Sequence, residues 1–176
     1  PILWMFFASF KTNSQIFSLT DPLIPKSFRL TNYKTGWNGF GVVKFQTFIK
    51  NSLFISIVST IGAVFSSAIV AYGLARLKFF GKKVWFALML ISMMLPIQIL
   101  MIPQFIMFHH LNWVDTFLPI IVPQFFGQPF FIFLMIQFIR GIPSELDQSA
   151  KIDGCGKYAI FFRIILPLMS PALVTS

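Results

Sequence analysis

The side chains in this chain that could do chemistry are few and gather in one stretch. Glu145, Asp147 and Asp153 lie close together in SELDQSAKIDG, and Cys155 follows two residues later. Carboxylates at that spacing could exchange protons, but acid–base or nucleophilic catalysis needs a matched base, nucleophile or oxyanion donor, and none stands nearby in the sequence. His109 and His110 are immediate neighbours, not an i,i+4 pair on one helix face, so an interfacial or loop role fits them better than metal binding. Gly81-Lys82-Lys83 copies the end of a phosphate-binding loop, yet it lacks the hydroxyl residue after the lysine and the glycine spacing before it. There is no H-E-x-x-H and no G-x-S-x-G. The single cysteine cannot form an internal disulfide, and no Cys/His spacing fits a structural metal. The expectation is no catalytic residue, no metal site and no ATP site in this chain.

The elements carrying these residues are dictated by composition. Of the 176 residues, 56% are apolar, only 11% are charged, and the mean hydropathy is +0.79. An ordinary soluble domain is about 25% charged. A soluble enzyme, a disordered regulator and a disulfide-stapled secreted domain are therefore disfavoured, and a polytopic membrane protein in a lipid bilayer remains. The net charge of +9 comes from lysines and arginines scattered between apolar runs, the pattern of membrane loops and not of a nucleic-acid-binding block.

Three runs carry no charge: 51–75, 84–108 and 117–139. Each is long enough to cross the hydrocarbon core as a helix, and none alternates as a barrel strand would. The expected fold is an all-α bundle of transmembrane helices. Residues 1–10 are apolar but too short to cross, without a basic leader or cleavage site, and read as the end of one crossing; 167–176 read as the start of another. On this reading the chain is a fragment. None of the three runs holds Asp, Glu, Lys, Arg or His, which argues against a proton-coupled pump or a voltage sensor.

Ser59, Ala63, Ser67, Ala71 and Ala75 recur every four residues in the first run. Small residues at that spacing let another backbone approach, either inside one bundle or at a subunit interface. Pro96 and Pro103 in the second run, and Pro119, Pro123, Gly127 and Pro129 in the third, predict kinks. Such breaks either fit the bundle together or flank a translocation path, and both readings stay open.

The links after the first and third runs are basic, with Arg76, Lys78, Lys82 and Lys83 in one and Arg140, Lys151, Lys157 and Arg163 in the other, whereas HHLNWVDT has no Lys or Arg. The positive-inside rule puts the basic links in the cytoplasm. The segment 11–50 then lies outside despite Lys11, Lys26, Arg29, Lys34, Lys44 and Lys50, since long loops obey the rule weakly. Trp37, Phe40, Phe45 and Phe48 suit an interfacial segment leading into the membrane.

The cytoplasmic loop 140–166 reads as a short amphipathic helix capped by Ser144, with Asp147 three residues on. Gly154 would end it in a left-handed turn, and an apolar helix would follow from about Lys157 to Pro167. Here the chain resembles the permease subunit of binding-protein-dependent ABC importers, with a MetI-like transmembrane domain, and is most similar to the second permease of the maltose-type and multiple-sugar-type carbohydrate branch. The family's loop reads Glu-Ala-Ala, three residues, Gly, nine residues, Ile-x-Leu-Pro. Gln148-Ser149-Ala150, Gly154 and Ile164-Ile165-Leu166-Pro167 stand at those places. The carbohydrate form adds Ile142-Pro143-Ser144-Glu145-Leu146 and Ile152-Asp153-Gly154. Asn32-Tyr33 with Trp37, Asn51-Ser52-Leu53, Ala71-Tyr72-Gly73-Leu74-Ala75-Arg76, Phe80-Gly81-Lys82, Met94-Leu95-Pro96 and Ile102-Pro103 extend the resemblance over the whole chain.

The resemblance implies a six-span permease, here the end of span one, spans two to four and the start of span five, in the bacterial inner (plasma) membrane. It implies as partners a second permease subunit, two ATP-binding subunits that hold ATP and Mg, and an extracytoplasmic sugar-binding protein. Glu145, Gln148, Ser149, Ala150, Asp153 and Gly154 would couple to the ATPase. Gln148 replaces the family's Glu and cannot form its ion pair, a loss that a neighbouring acid such as Asp147 could offset. Sugar contacts are expected from the spans, through Gln98, Gln104, Gln124, Gln128 or Phe130, because amides and aromatic faces suit sugars. A permease for an amino acid or peptide, or an ion-coupled secondary transporter, is the alternative.

Overall fold

A computed structural model of the chain describes residues 1–18, 22–25, 27–39 and 43–176. The described residues form helices and loops, and the chain divides into two compact units, 1–54 and 55–176. Lys26 and Phe40, invoked above for the loop charge and the interfacial segment, lie outside the described residues.

In the first unit, α1 (Ile2–Ala8) is followed by the single turn α2 (Asn13–Ile16) and by α3 (Thr31–Asn38). Asn32 organises this unit. Its Nδ2 donates to the carbonyls of Ser9 at 2.9 Å and Lys11 at 2.8 Å, closing the chain leaving α1 onto α3. Lys11 turns inward and donates from Nζ to the Pro22 carbonyl at 2.6 Å. The ring of Phe10 contacts Phe28 and Tyr33, so aromatic edges fill what little core this unit has. Trp37 is exposed and meets Phe45 edge-on, with centroids 6.3 Å apart.

Helix α4 (Phe45–Arg76) has 32 residues and starts before the uncharged run does. At 1.5 Å per residue it is about 48 Å long, longer than the hydrocarbon core. The small-residue stripe turns inward: Ala63, Ser67 and Ala71 are buried, the last two completely. That stripe packs within this chain. Ser67 does more than leave room, for its Oγ accepts the backbone N–H of Gln128 at 2.9 Å. Ser67→Ala leaves that N–H without its acceptor and is expected to cost about 1–3 kcal/mol of stability. Thermal unfolding in detergent checks this; an unchanged midpoint contradicts it.

The second uncharged run is not one straight crossing. It folds as α5 (Lys82–Met94) and α6 (Ile97–His110), bent by 101°. The break sits at Leu95 and Pro96, both extended with ψ of 123° and 131°. A residue before proline is driven out of the helical region, which explains why Leu95 leaves the helix. Pro103, by contrast, is carried inside α6. The third run is also interrupted. A turn of helix, α7 (Leu118–Ile121), passes into a 3-10 turn over Val122–Phe126, and Gly127 adopts φ +84° before α8 (Pro129–Gly141) begins. By length and composition, two helical stretches can cross a membrane, or three if the bent pair is one span.

Beyond α8 come α9 (Glu145–Ile152), α10 (Lys157–Ile160), a π-helical turn over Phe161–Ile165, α11 (Leu166–Leu168) and α12 (Ser170–Thr175). The wide turn precedes Pro167, which has no N–H to return to the turn below it. The core of the second unit lies where these segments meet the C-terminal half of α4 and α8. Ala68, Ala71, Met135, Ile136, Ile139, Ile165 and Met169 are almost fully buried there. α5 and α6 bury no residue completely; most of their apolar side chains are exposed, while Phe86 and Met89 of α5 pack partly buried against the core.

Candidate functional site

The loop 140–166 is tied to α4 and the end of α8 by specific side-chain contacts. α9 is two-faced: Asp147 and Ala150 point inward, while Glu145, Leu146, Gln148, Ser149 and Ile152 face out. Positions 145, 148, 149 and 152 fall on one helical stripe, and 147 and 150 on another. Ile152 is 87% exposed, unusual for an isoleucine beside a well-packed core.

Two expectations about this loop are corrected. Ser144 makes no side-chain capping hydrogen bond; its backbone is helical, with φ −70° and ψ −17°, and its carbonyl accepts the Gln148 N–H instead. A capping serine needs an extended backbone to aim its hydroxyl at the first turn. Asp147 is not available beside Gln148 to offset the missing Glu charge. It is buried and paired with Arg76 at the end of α4, Nε to Oδ2 3.2 Å. The contact is Coulombic more than directional, since Arg76 Nε and Asp147 Oδ1 make no hydrogen bond among the described residues. Arg76 also donates from Nη2 to the carbonyl of Ile142, so one guanidinium ties α4 both to the end of α8 and to α9.

The C-terminus of α9 behaves as the sequence predicts. Gly154 has φ +82°, its N–H donates to the Lys151 carbonyl at 3.1 Å, and Cys155 N–H donates to the Ala150 carbonyl at 2.8 Å. This is the paired closure that ends a helix on a left-handed glycine. Asp153 is exposed just before the turn. Tyr72 on α4 donates its hydroxyl to the Lys157 carbonyl at 3.1 Å and packs its ring on Phe161, which holds the returning chain.

The two basic links meet at one end of the second unit. Lys82 Nζ donates to the Leu77 carbonyl at 2.9 Å and the Ala75 carbonyl at 3.3 Å, covering the free carbonyls at the end of α4. Arg140 lies over the Phe86 ring, 5.6 Å from its centroid. Sequence reasoning missed Arg76 as a structural partner of the loop. Its signal was an arginine closing an uncharged run at the head of a basic link, with no indication of its distant partner.

Of the candidate sugar-contact residues, only Gln124 and Gln128 are brought together. Gln128 donates to the Gln124 side chain at 2.6 Å, and the Gln124 carbonyl accepts from Ser66 at 3.2 Å, so this pair helps dock the broken third run on α4. Gln98 and Gln104 are exposed on α6, and Phe130 is exposed at the start of α8. A cleft of about 580 Å³ opens beside the break at Gly127. It is lined by Val70, Trp85, Leu88, Met89 and Phe126 among others, and by none of the five candidates. Among the described residues, no group of three or more His, Cys, Asp or Glu could hold a metal ion.

Residues 62–176 match the family described as binding-protein-dependent transport system inner membrane component. The chain is 36% identical over 174 residues to the arabinooligosaccharides transport system permease protein AraQ of Bacillus subtilis, covering 98% of this chain and 61% of that protein. It is 33% identical to the polygalacturonan/rhamnogalacturonan transport system permease protein YtcP of the same organism, covering 99% of this chain and 59% of that one. The chain thus spans about three-fifths of the length of these relatives. In fold it is similar to a chain in the crystal structure of a bacterial ABC transporter involved in the import of the acidic polysaccharide alginate. The TM-score is 0.87 at 23% identity, over 99% of this chain and 60% of that chain.

Proposed function

The chain belongs to the family of binding-protein-dependent transport system inner membrane components, and from that premise we propose that it is the permease part of an ATP-driven carbohydrate importer. The protein is a membrane protein, and on this reading it is multi-pass, in the bacterial inner membrane, with both basic links in the cytoplasm. It acts as a transport subunit; ATP and Mg are bound and ATP is hydrolysed in two partner subunits. A second permease and an extracytoplasmic sugar-binding protein complete the assembly. The carbohydrate substrate rests on the relatives, which are named for transport of arabinooligosaccharides and of polygalacturonan/rhamnogalacturonan.

The observation carrying the coupling role is the two-faced α9. Its inner face is clamped through Asp147 and Ala150, and its outer face offers Glu145, Gln148, Ser149 and the apolar Ile152 to a partner. A helix held this way moves as a body with α4 and α8, so force from a docked ATPase reaches the spans. Asp153 and Gly154 set where the helix ends. Gln148 supplies hydrogen bonds at the docking face without an ion pair.

Cross-linking tests the reading. Cys155 is half-buried, so the better reporter is Ile152→Cys in a Cys155→Ser background of the full transporter. In inside-out vesicles a nucleotide-sensitive cross-link to the ATP-binding subunit is expected. Labelling only from the outer face would overturn the topology. Uptake that survives ATP depletion and collapses with an ionophore would favour an ion-coupled transporter.

A further inference from the structure

A second site lies behind α9, away from its docking face. Tyr72, Arg76, Leu77, Lys78, Asp147, Lys151, Lys157 and Ile160 line a cavity of about 310 Å³ that opens to the surface, where Lys78, Lys151 and Lys157 are exposed. Four of these side chains are cationic and one is a carboxylate. Arg76 is matched by Asp147 across 3.2 Å. Among the described residues, Lys78, Lys151 and Lys157 have no carboxylate within ion-pair distance. Three lysines from three segments, the link after α4, the last turn of α9 and the start of α10, thus converge on one hollow without a counter-charge. The basic-link rule accounts for lysines on this side of the membrane but not for their meeting around a cavity.

We propose that this cavity binds an anionic phosphate group. Three ammonium groups suit a phosphate as point charges, each with donors that rotate to fit. The closed Arg76–Asp147 pair keeps the carboxylate from repelling the anion and holds the cavity wall in place. The phosphate comes either from the headgroup of an acidic phospholipid at the membrane surface or from a free phosphate in solution. The lipid source rests on the topology proposed above; the anion site itself does not. A ligand here bridges the link after α4 to the end of α9 and the start of α10, so occupancy would stiffen the coupling unit.

The test uses the purified full transporter, and binding, not transport, is the readout. In one arm it is reconstituted in nanodiscs of phosphatidylcholine with or without phosphatidylglycerol, and retained lipid is counted by native mass spectrometry. In the other arm it is held in detergent and its unfolding temperature is followed with inorganic phosphate against chloride at matched ionic strength. The variant is Lys151→Gln with Lys157→Gln; the control, Lys83→Gln with Arg163→Gln, removes the same charge at exposed positions outside the cavity. Each lysine near an anionic surface contributes about a fivefold preference, so roughly thirtyfold weaker retention of phosphatidylglycerol is expected in the variant and little change in the control. Phosphate-specific stabilisation lost in the variant, without lipid retention, assigns a soluble phosphate. Equal loss in variant and control, or no phosphate- or lipid-dependent signal in either arm, overturns the proposal. Binding that persists in a transporter with no ATPase cross-link at position 152 would separate this site from the importer reading.

Discussion

Gly154→Pro is expected to abolish uptake while leaving the protein in the membrane at normal abundance. Gly154 sits at φ +82°, and its N–H closes the end of α9 onto Lys151. Proline fixes φ near −65° and has no N–H, so the turn cannot form and α9 can no longer hand the chain to Lys157. The spans carry the apolar runs that drive insertion, and the substitution does not touch them. Gly154→Ala separates backbone conformation from bulk. A Cβ there would meet nothing within 4 Å, so alanine bears only the left-handed strain of about 1–2 kcal/mol and should keep part of the uptake. Initial rates of sugar uptake, normalised to membrane abundance by immunoblot, read both. Normal uptake by Gly154→Pro at normal abundance would remove the loop from the coupling path.

Arg76→Ala is expected to destabilise the transporter by about 2–4 kcal/mol. Breaking a buried ion pair from one side costs about 3–5 kcal/mol, because a desolvated charge is left alone. The Arg76 and Asp147 side chains are 13% and 11% exposed, so some hydration lowers that figure. The same change removes the donor to the Ile142 carbonyl. Arg76→Lys should recover only part of the loss, because an ammonium cannot span both partners as the guanidinium does. Replacing both charges, Arg76→Leu with Asp147→Leu, should restore most of it, since the penalty belongs to the unpaired charge. Thermal unfolding of the wild type and these three variants in one detergent measures each loss. A loss below about 0.5 kcal/mol for Arg76→Ala would place the pair among surface bridges of little consequence.

Much of this was legible without coordinates. Uncharged runs longer than the hydrocarbon core specify membrane helices, because backbone groups in lipid have no other partner. Ser-Glu-Leu-Asp-Gln-Ser-Ala-Lys-Ile-Asp-Gly specifies a short helix closed by a left-handed glycine, because those preferences are local and steric. The stripe Ser59, Ala63, Ser67, Ala71 likewise marks a close-packed face, though not the face it meets.

Tertiary structure decided what locality could not. Pro96 breaks its run by 101° while Pro103 rides inside a helix, although each proline loses the same N–H. The backbones of Gln124 and Gln128 bond to Ser66 and Ser67 of α4, and their side-chain amides bond to each other, partners that the sequence spacing alone does not disclose. Asp147 turns inward because an arginine far upstream waits there, and only the folded chain sets that distance. Composition and spacing act through the nearest neighbours along the chain; the direction of a charged side chain depends on partners that folding alone brings within reach.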